Sequence, residues 1–130
     1  MTALHYAAIA GRRDVAEYLA AVGADCNIQT NGGNTALHYA VDRGHRDIAG
    51  CLVAAGADYN IQTNDGMTAL HYAAIAGRRD VAEYLAAVGA DCNIQTNGGN
   101  TALHYAVDRG HRDIAGCLVA AGADYNIQTN

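Results

Sequence analysis

Six histidines, four cysteines and thirteen carboxylates are the side chains of this 130-residue sequence that could do chemistry. Histidine and cysteine hold zinc when closely spaced pairs converge on one point. The cysteines, Cys26, Cys51, Cys92 and Cys117, are separated by 25, 41 and 25 residues, and there is no CxxC pair. That spacing gives a zinc site little support and suits free, reduced thiols of small buried residues. A nucleophilic cysteine would need a base beside it in a pocket. His45 and His111 are not paired with a cysteine or carboxylate at ligand spacing, and their expected role is to satisfy backbone groups between two helices. The carboxylates, Asp14, Glu17, Asp25, Asp42, Asp47 and Asp58 in the first half, are evenly spread and present no acid/base pair. Arg13 and Glu17, four residues apart, form a surface pair worth roughly a few tenths of a kcal/mol. The expectation is a non-enzymatic chain with no catalytic residue, metal, cofactor or small-molecule substrate.

What positions these residues is repetition. Residues 67–130 repeat residues 1–64 letter for letter, and each copy contains a looser repeat of 33 residues. Thr2-Ala3-Leu4-His5-Tyr6-Ala7 aligns with Thr35-Ala36-Leu37-His38-Tyr39-Ala40, so His5, His38, His71 and His104 share one slot. Four units follow, 1–33, 34–66, 67–99 and 100–130, alternating between two versions. A period of this length is the signature of a stacked-repeat architecture.

Within a unit the apolar spacing is helical. In the second, Leu37, Ala40 and Val41 fall at i, i+3 and i+4, then Ile48, Ala49, Leu52 and Val53 make a second stripe. Gly44 and Gly56 stop the two helices. Thr35 is placed to cap the first, and Asp47 sits early in the second, where the helix dipole favours negative charge. The segment from Ala57 to Gly66 reads as an extended loop with a tight turn. Asn31-Gly32 and Asp65-Gly66 are the turn signals, since both central residues can take positive φ. Helices of about nine residues do not survive alone, so they must bury their stripes against neighbouring units, as in a solenoid. The eight tyrosines, in helices except for Tyr59 and Tyr125, are expected to serve packing.

Composition narrows the classes further. The net charge of −5, with every basic side chain an arginine, argues against nucleic acid. No apolar run approaches the length of a membrane span, and there is no signal peptide. The expected location is cytoplasmic, or a recombinant host if the chain is synthetic. By length the chain is one domain, residues 1–130. The outer repeat has a seam: Met67 stands where Asn34 and Asn100 stand in their units, and Asp65-Gly66 restores the 33-residue spacing. A start methionine carried along when a 64-residue piece was fused to itself explains the seam. The rival is a very recent natural duplication.

Thr35-Ala36-Leu37-His38-Tyr39-Ala40, Gly44-His45 and Leu52-Val53-Ala54-Ala55-Gly56-Ala57-Asp58-Tyr59-Asn60, with their counterparts along the whole chain, resemble the ankyrin repeat. The resemblance implies an all-α, right-handed ankyrin-repeat solenoid of helix-turn-helix units joined by hairpin-like loops. It also implies that the four slot histidines tie neighbouring turns by hydrogen bonds. The sequence departs from the family pattern in three places. Ala3, Ala36, Ala69 and Ala102 replace the proline that pre-sets the helix start, Arg12 and Arg78 replace the histidine after glycine, and Thr30, Thr63 and Thr96 replace the aspartate opening the turn.

In ankyrin proteins the loop tips and first helices form a concave face that binds partner proteins. Carried over by position, that face comprises Ile9, Gln29, Asn31, Asn34, Asp42, Arg43, Gln62, Asn64, Asp65, Met67, Ile75, Gln95, Asn97, Asn100, Asp108 and Arg109. Only Arg43 and Arg109 have the character of binding hot spots. Solenoids end in polar capping repeats, and neither terminal unit here looks like one. The ends are therefore expected to expose apolar surface and, being in register with each other, to stack head-to-tail. Two functions stand open: a synthetic scaffold prone to self-assembly through uncapped ends, or a fragment of a natural ankyrin interaction domain. The partner is accordingly the chain itself or another protein.

Overall fold

The computed structural model describes residues 1–129. Eight helices follow one another: α1 (Ala3–Ala10), α2 (Arg13–Ala21), α3 (Ala36–Asp42), α4 (Arg46–Ala54), α5 (Ala69–Ala76), α6 (Arg79–Val88), α7 (Ala102–Asp108) and α8 (Arg112–Ala120). No strand occurs among the described residues. The odd-numbered helices pack in one row and the even-numbered in a second, each pair packing across the rows. This is the helix-turn-helix stack the periodicity predicts.

The start of each inner helix is built by two side chains. Thr2, Thr35, Thr68 and Thr101 have extended backbone, and each hydroxyl accepts the backbone N–H of the histidine three residues on. The histidine Nδ1 accepts the threonine's own N–H in return, at 2.9 Å for His5 and His38 and 2.8 Å for His71 and His104. Histidine here takes the part that glutamate plays in a capping box. Because Nδ1 accepts from a backbone N–H, the neutral ring carries its proton on Nε2. That Nε2–H donates to a carbonyl in the next loop: Ile28 for His5 at 2.9 Å, Met67 for His38 at 3.0 Å, Asn100 for His71 at 3.2 Å and Ile127 for His104 at 2.9 Å. One side chain thus starts a helix and fastens it to the following loop, the role the family resemblance implied for it.

The core between the rows is made of small side chains. Ala8, Ala40, Ala73, Ala74 and Ala106 are fully buried on the inner helices, and Ile48, Leu52, Val81, Leu85, Ile114 and Leu118 fill the outer ones. Alanine allows close helix approach, and the branched residues occupy what space remains. Outside, Arg13 pairs with Glu17 at 2.9 Å and reaches Asp47 of the next repeat at 4.0 Å, while Arg79 pairs with Glu83 and reaches Asp113 at 3.7 Å. These exposed pairs contribute little to stability.

The structure corrects two expectations. At the first loop tip the left-handed residue is Gly33 rather than one of Asn31-Gly32, and the turn closes through Gly33 N–H to Thr30 O. At the second, Gly66 of the Asp65-Gly66 pair does take positive φ and its N–H donates to Thr63 O, while Asp65 does not, since among the described residues no non-glycine residue has positive φ. Gly33 and Gly66 take φ of 88° and 85°, and a Cβ on either would stand 2.7 Å from the backbone nitrogen of Asn64 or Asn97. Glycine is required there by conformation and by the close approach of the neighbouring tip. His45, in turn, makes no side-chain cap bond at the start of α4. Its ring lies over Gly11 of the preceding repeat, within 2.8 Å of where a Cβ would be, and His111 lies over Gly77 in the same way.

Candidate protein-binding face

The loop tips of neighbouring repeats lie alongside one another and occupy several of the predicted face side chains with each other. Gln29 Nε2 donates to Gly33 O at 2.8 Å and to Gln62 O at 3.1 Å. Gln62 repeats this with Gly66 and Gln95, and Gln95 with Gly99 and Gln128. Asn64 Nδ2 donates to Asn31 O, and Asn97 Nδ2 to Asn64 O, each at 2.8 Å. The backbone follows the same ladder, with Asn64 N–H to Gly32 O and Asn97 N–H to Asp65 O. An amide side chain can supply such bonds once per repeat because the 33-residue spacing brings its copy alongside. Holding the tips in register uses donors that a partner would otherwise meet.

Other predicted positions remain open. Asp42, Arg43, Asp65, Asp108 and Arg109 are exposed, Ile9 and Ile75 are half-buried, and so are Asn34 and Asn100. Asp42 also offers its carbonyl to Arg78 Nη2 at 3.3 Å. Met67 does not belong to an exposed face. It is only 9 % exposed, its N–H donates to Thr63 Oγ1, and its carbonyl accepts from His38. At the seam the methionine side chain turns inward where Asn34 is half-exposed.

The reading from residue types missed a row of tyrosines. Tyr6, Tyr39, Tyr72 and Tyr105 follow the slot histidines, and Tyr39, Tyr72 and Tyr105 meet the histidine of the preceding repeat edge-to-face, with ring centroids 5.9, 5.3 and 5.8 Å apart. All four keep some surface, and Tyr6 is largely exposed. Tyr72 donates its hydroxyl to Asn34 Oδ1 at 2.8 Å. Burial, then the nearby Asp42 carboxylate, push its phenol above the usual tyrosine range. Aromatic residues that present an apolar body and a polar tip are what interaction surfaces favour. The signal was available: one tyrosine at the same place in every unit.

Hollows occur at the two ends of the stack. One of about 460 Å³ lies between Met1, His5, Ile28, Asn31 and Tyr39. Two of about 260 Å³ lie on the fourth repeat, one beside Leu103, Val107 and Tyr125 and one beside Ala106, Val107 and Arg112.

For catalysis the geometry offers little. Among the described residues no group of three or more histidines, cysteines or carboxylates comes together to hold a metal. Burial is the chief cause that pushes all four cysteine thiols up, away from the reactive thiolate. Among the described residues no helix is long and apolar enough to cross a membrane.

A comparison with curated proteins finds no match to the chain. The family model described as ankyrin repeats (3 copies) matches residues 1–63 and again residues 51–129. Ankyrin repeats are a protein-interaction repeat type, generally non-enzymatic. With eight helices in pairs, a threonine and a histidine starting every inner helix, and that match along its length, the chain belongs to the ankyrin repeat family.

Proposed function

We propose that the chain is a synthetic, non-enzymatic repeat scaffold, a single domain of four repeats, that binds protein surfaces and associates head-to-tail with copies of itself. The observation that carries this is a comparison the sequence makes possible. Because residues 1–64 and 67–130 are identical, the same side chain occurs once inside the stack and once at an end. Val41 is fully buried and Val107, its copy, is 67 % exposed; Val81 is fully buried and Val15, its copy, is 45 % exposed. Tyr18, Val22, Val119 and Tyr125 are likewise exposed at the ends, while Tyr84, Val88, Val53 and Tyr59 are half-buried inside. Apolar surface that is covered inside the stack and exposed at its ends supports association there. The identical copies and the methionine at the seam support a synthetic origin. The four unpaired thiols suit a reducing compartment such as the cytoplasm.

Light scattering over a wide concentration range, with thiols kept reduced, tests the reading. Mass should grow with concentration without a plateau at dimer. A mass constant at 13.5 kDa would refute self-association.

A second reading, a fragment of a natural interaction domain, is favoured by the tyrosine row beside Arg43 and Arg109. On that reading, substitution of Tyr39 and Tyr72 by alanine abolishes capture of a partner that is not the chain itself.

A further inference from the structure

We infer that the self-association just proposed, on which this inference rests, uses one defined joint: the fourth repeat of one copy docks on the first repeat of the next in the register of the junction between the second and third repeats. That internal junction is a template for the joint. The fourth repeat has the sequence of the second over residues 100–130, and the first has that of the third. The end faces therefore carry the two halves of an interface that already exists inside the chain.

The internal junction joins three kinds of contact. Val41 and Val81 are removed from water. The Tyr59 hydroxyl donates to Val88 O at 3.0 Å. The Arg46 guanidinium lies over the Tyr84 ring, 5.0 Å from its centroid. At the joint the same contacts fall to Val107 and Val15, to Tyr125 donating to Val22 O, and to Arg112 over Tyr18. A cation over an aromatic face is worth more once desolvated, so the joint gains from each of the three.

The joint is heterologous, since two different faces meet. Such a contact propagates in one direction and yields an open stack unless the rotation closes a ring. It also has a polarity that a symmetric dimer lacks, and the polarity is what can be tested. Val107 and Val15 are both exposed in the single chain, so charging either leaves the core untouched.

The experiment uses Val107→Arg, which spoils the fourth-repeat face, and Val15→Asp, which spoils the first-repeat face. Circular dichroism first confirms that each retains its helices. Sedimentation velocity is then run on the wild type, on each variant alone and on an equimolar mixture. Burying an unpaired charge should weaken the joint by about a hundredfold or more. Each variant alone should stay monomeric where the wild type associates. The mixture should form a dimer and stop there, because one intact face of each kind remains and they complement. Variants that associate alone as the wild type does, or a mixture that stays monomeric, would overturn the joint and leave self-association by another surface. A wild type that is monomeric throughout would overturn the joint and the self-association reading together.

Discussion

Acidification should unfold this protein through His71, and the size of the effect can be worked out from the capping geometry. His71 is buried, its Nδ1 accepts the Thr68 N–H, and its Nε2–H donates to Asn100 O. A proton on Nδ1 would face a donor and would lie out of reach of water. Burial, which outweighs the carbonyl bonds, lowers its pKa from 6.5 to about 4. The sign follows from that direction. The unfolded chain takes up the proton first, so the stability His71 contributes is present above about pH 6.5 and is lost as pH falls towards the folded pKa. The full gap, at ~1.4 kcal/mol per pH unit, is on the order of 3 kcal/mol, of which about 2 kcal/mol is lost between about pH 7 and pH 5. His38, lowered for the same chief reason, acts in the same direction. Urea unfolding followed by circular dichroism at several pH values, in samples dilute enough to be monomeric, measures the slope. The His71→Gln variant should be less stable at neutral pH yet show a shallower decline on acidification, keeping the share due to His38. Equal slopes for wild type and variant, or stability that rises on acidification, would refute the assignment of a buried neutral ring with Nδ1 as acceptor.

Three further outcomes follow from named contacts. Thr68→Ala removes the hydroxyl that caps α5 and should cost about 1 kcal/mol in denaturant unfolding, with the loss largest in the exchange protection of the His71 amide. Gly66→Ala forces a side chain into a left-handed backbone and to 2.7 Å from Asn97 N; it should cost about 2 kcal/mol or more and lower the thermal midpoint by several degrees. Val81→Ala, at a fully buried position, should cost roughly 1–2 kcal/mol, whereas Val15→Ala, the same residue of the identical copy, should cost less than about half that in the monomer; equal losses would mean that the first repeat is as well packed as the third.

Much of this architecture is written in the spacing. Leucine, alanine and valine at helical intervals, glycine after them and threonine before them make the helix pairs readable, because each rests on local chemistry that a neighbour does not override. Contacts between repeats were harder to read, since they depend on which copy comes to lie alongside which. For His45 the sequence predicts polar work between helices, yet the glycine of the previous repeat, lacking a Cβ, offers its ring a seat. Gln29, Asn31, Asn64 and Asn97 looked like surface ligands and prove to be rungs of a ladder between tips. Alignment with Asn34 puts Met67 on the face, but a long apolar side chain at that site is buried. The tyrosine row was obscured because a tyrosine among alanines in a helix has the look of packing.

The identical halves separate what a residue is from what its place makes of it. Tyr59 and Tyr125 share every neighbour in sequence up to the loop that follows, yet Tyr59 donates to Val88 O of the next repeat while Tyr125 is exposed. His38, with the first repeat before it and the third after, is buried, whereas its copy His104 in the fourth repeat is half-buried, although their local capping bonds match in kind. The energetic unit of this fold is therefore not the repeat but the junction between repeats, as expected of a one-dimensional stack. Each helix pair offers two faces, and its stability depends on how many of them are covered. By that reasoning the first and fourth repeats are the weak members of an isolated chain, and covering their outer faces with another copy would bring them to the stability of the second and third.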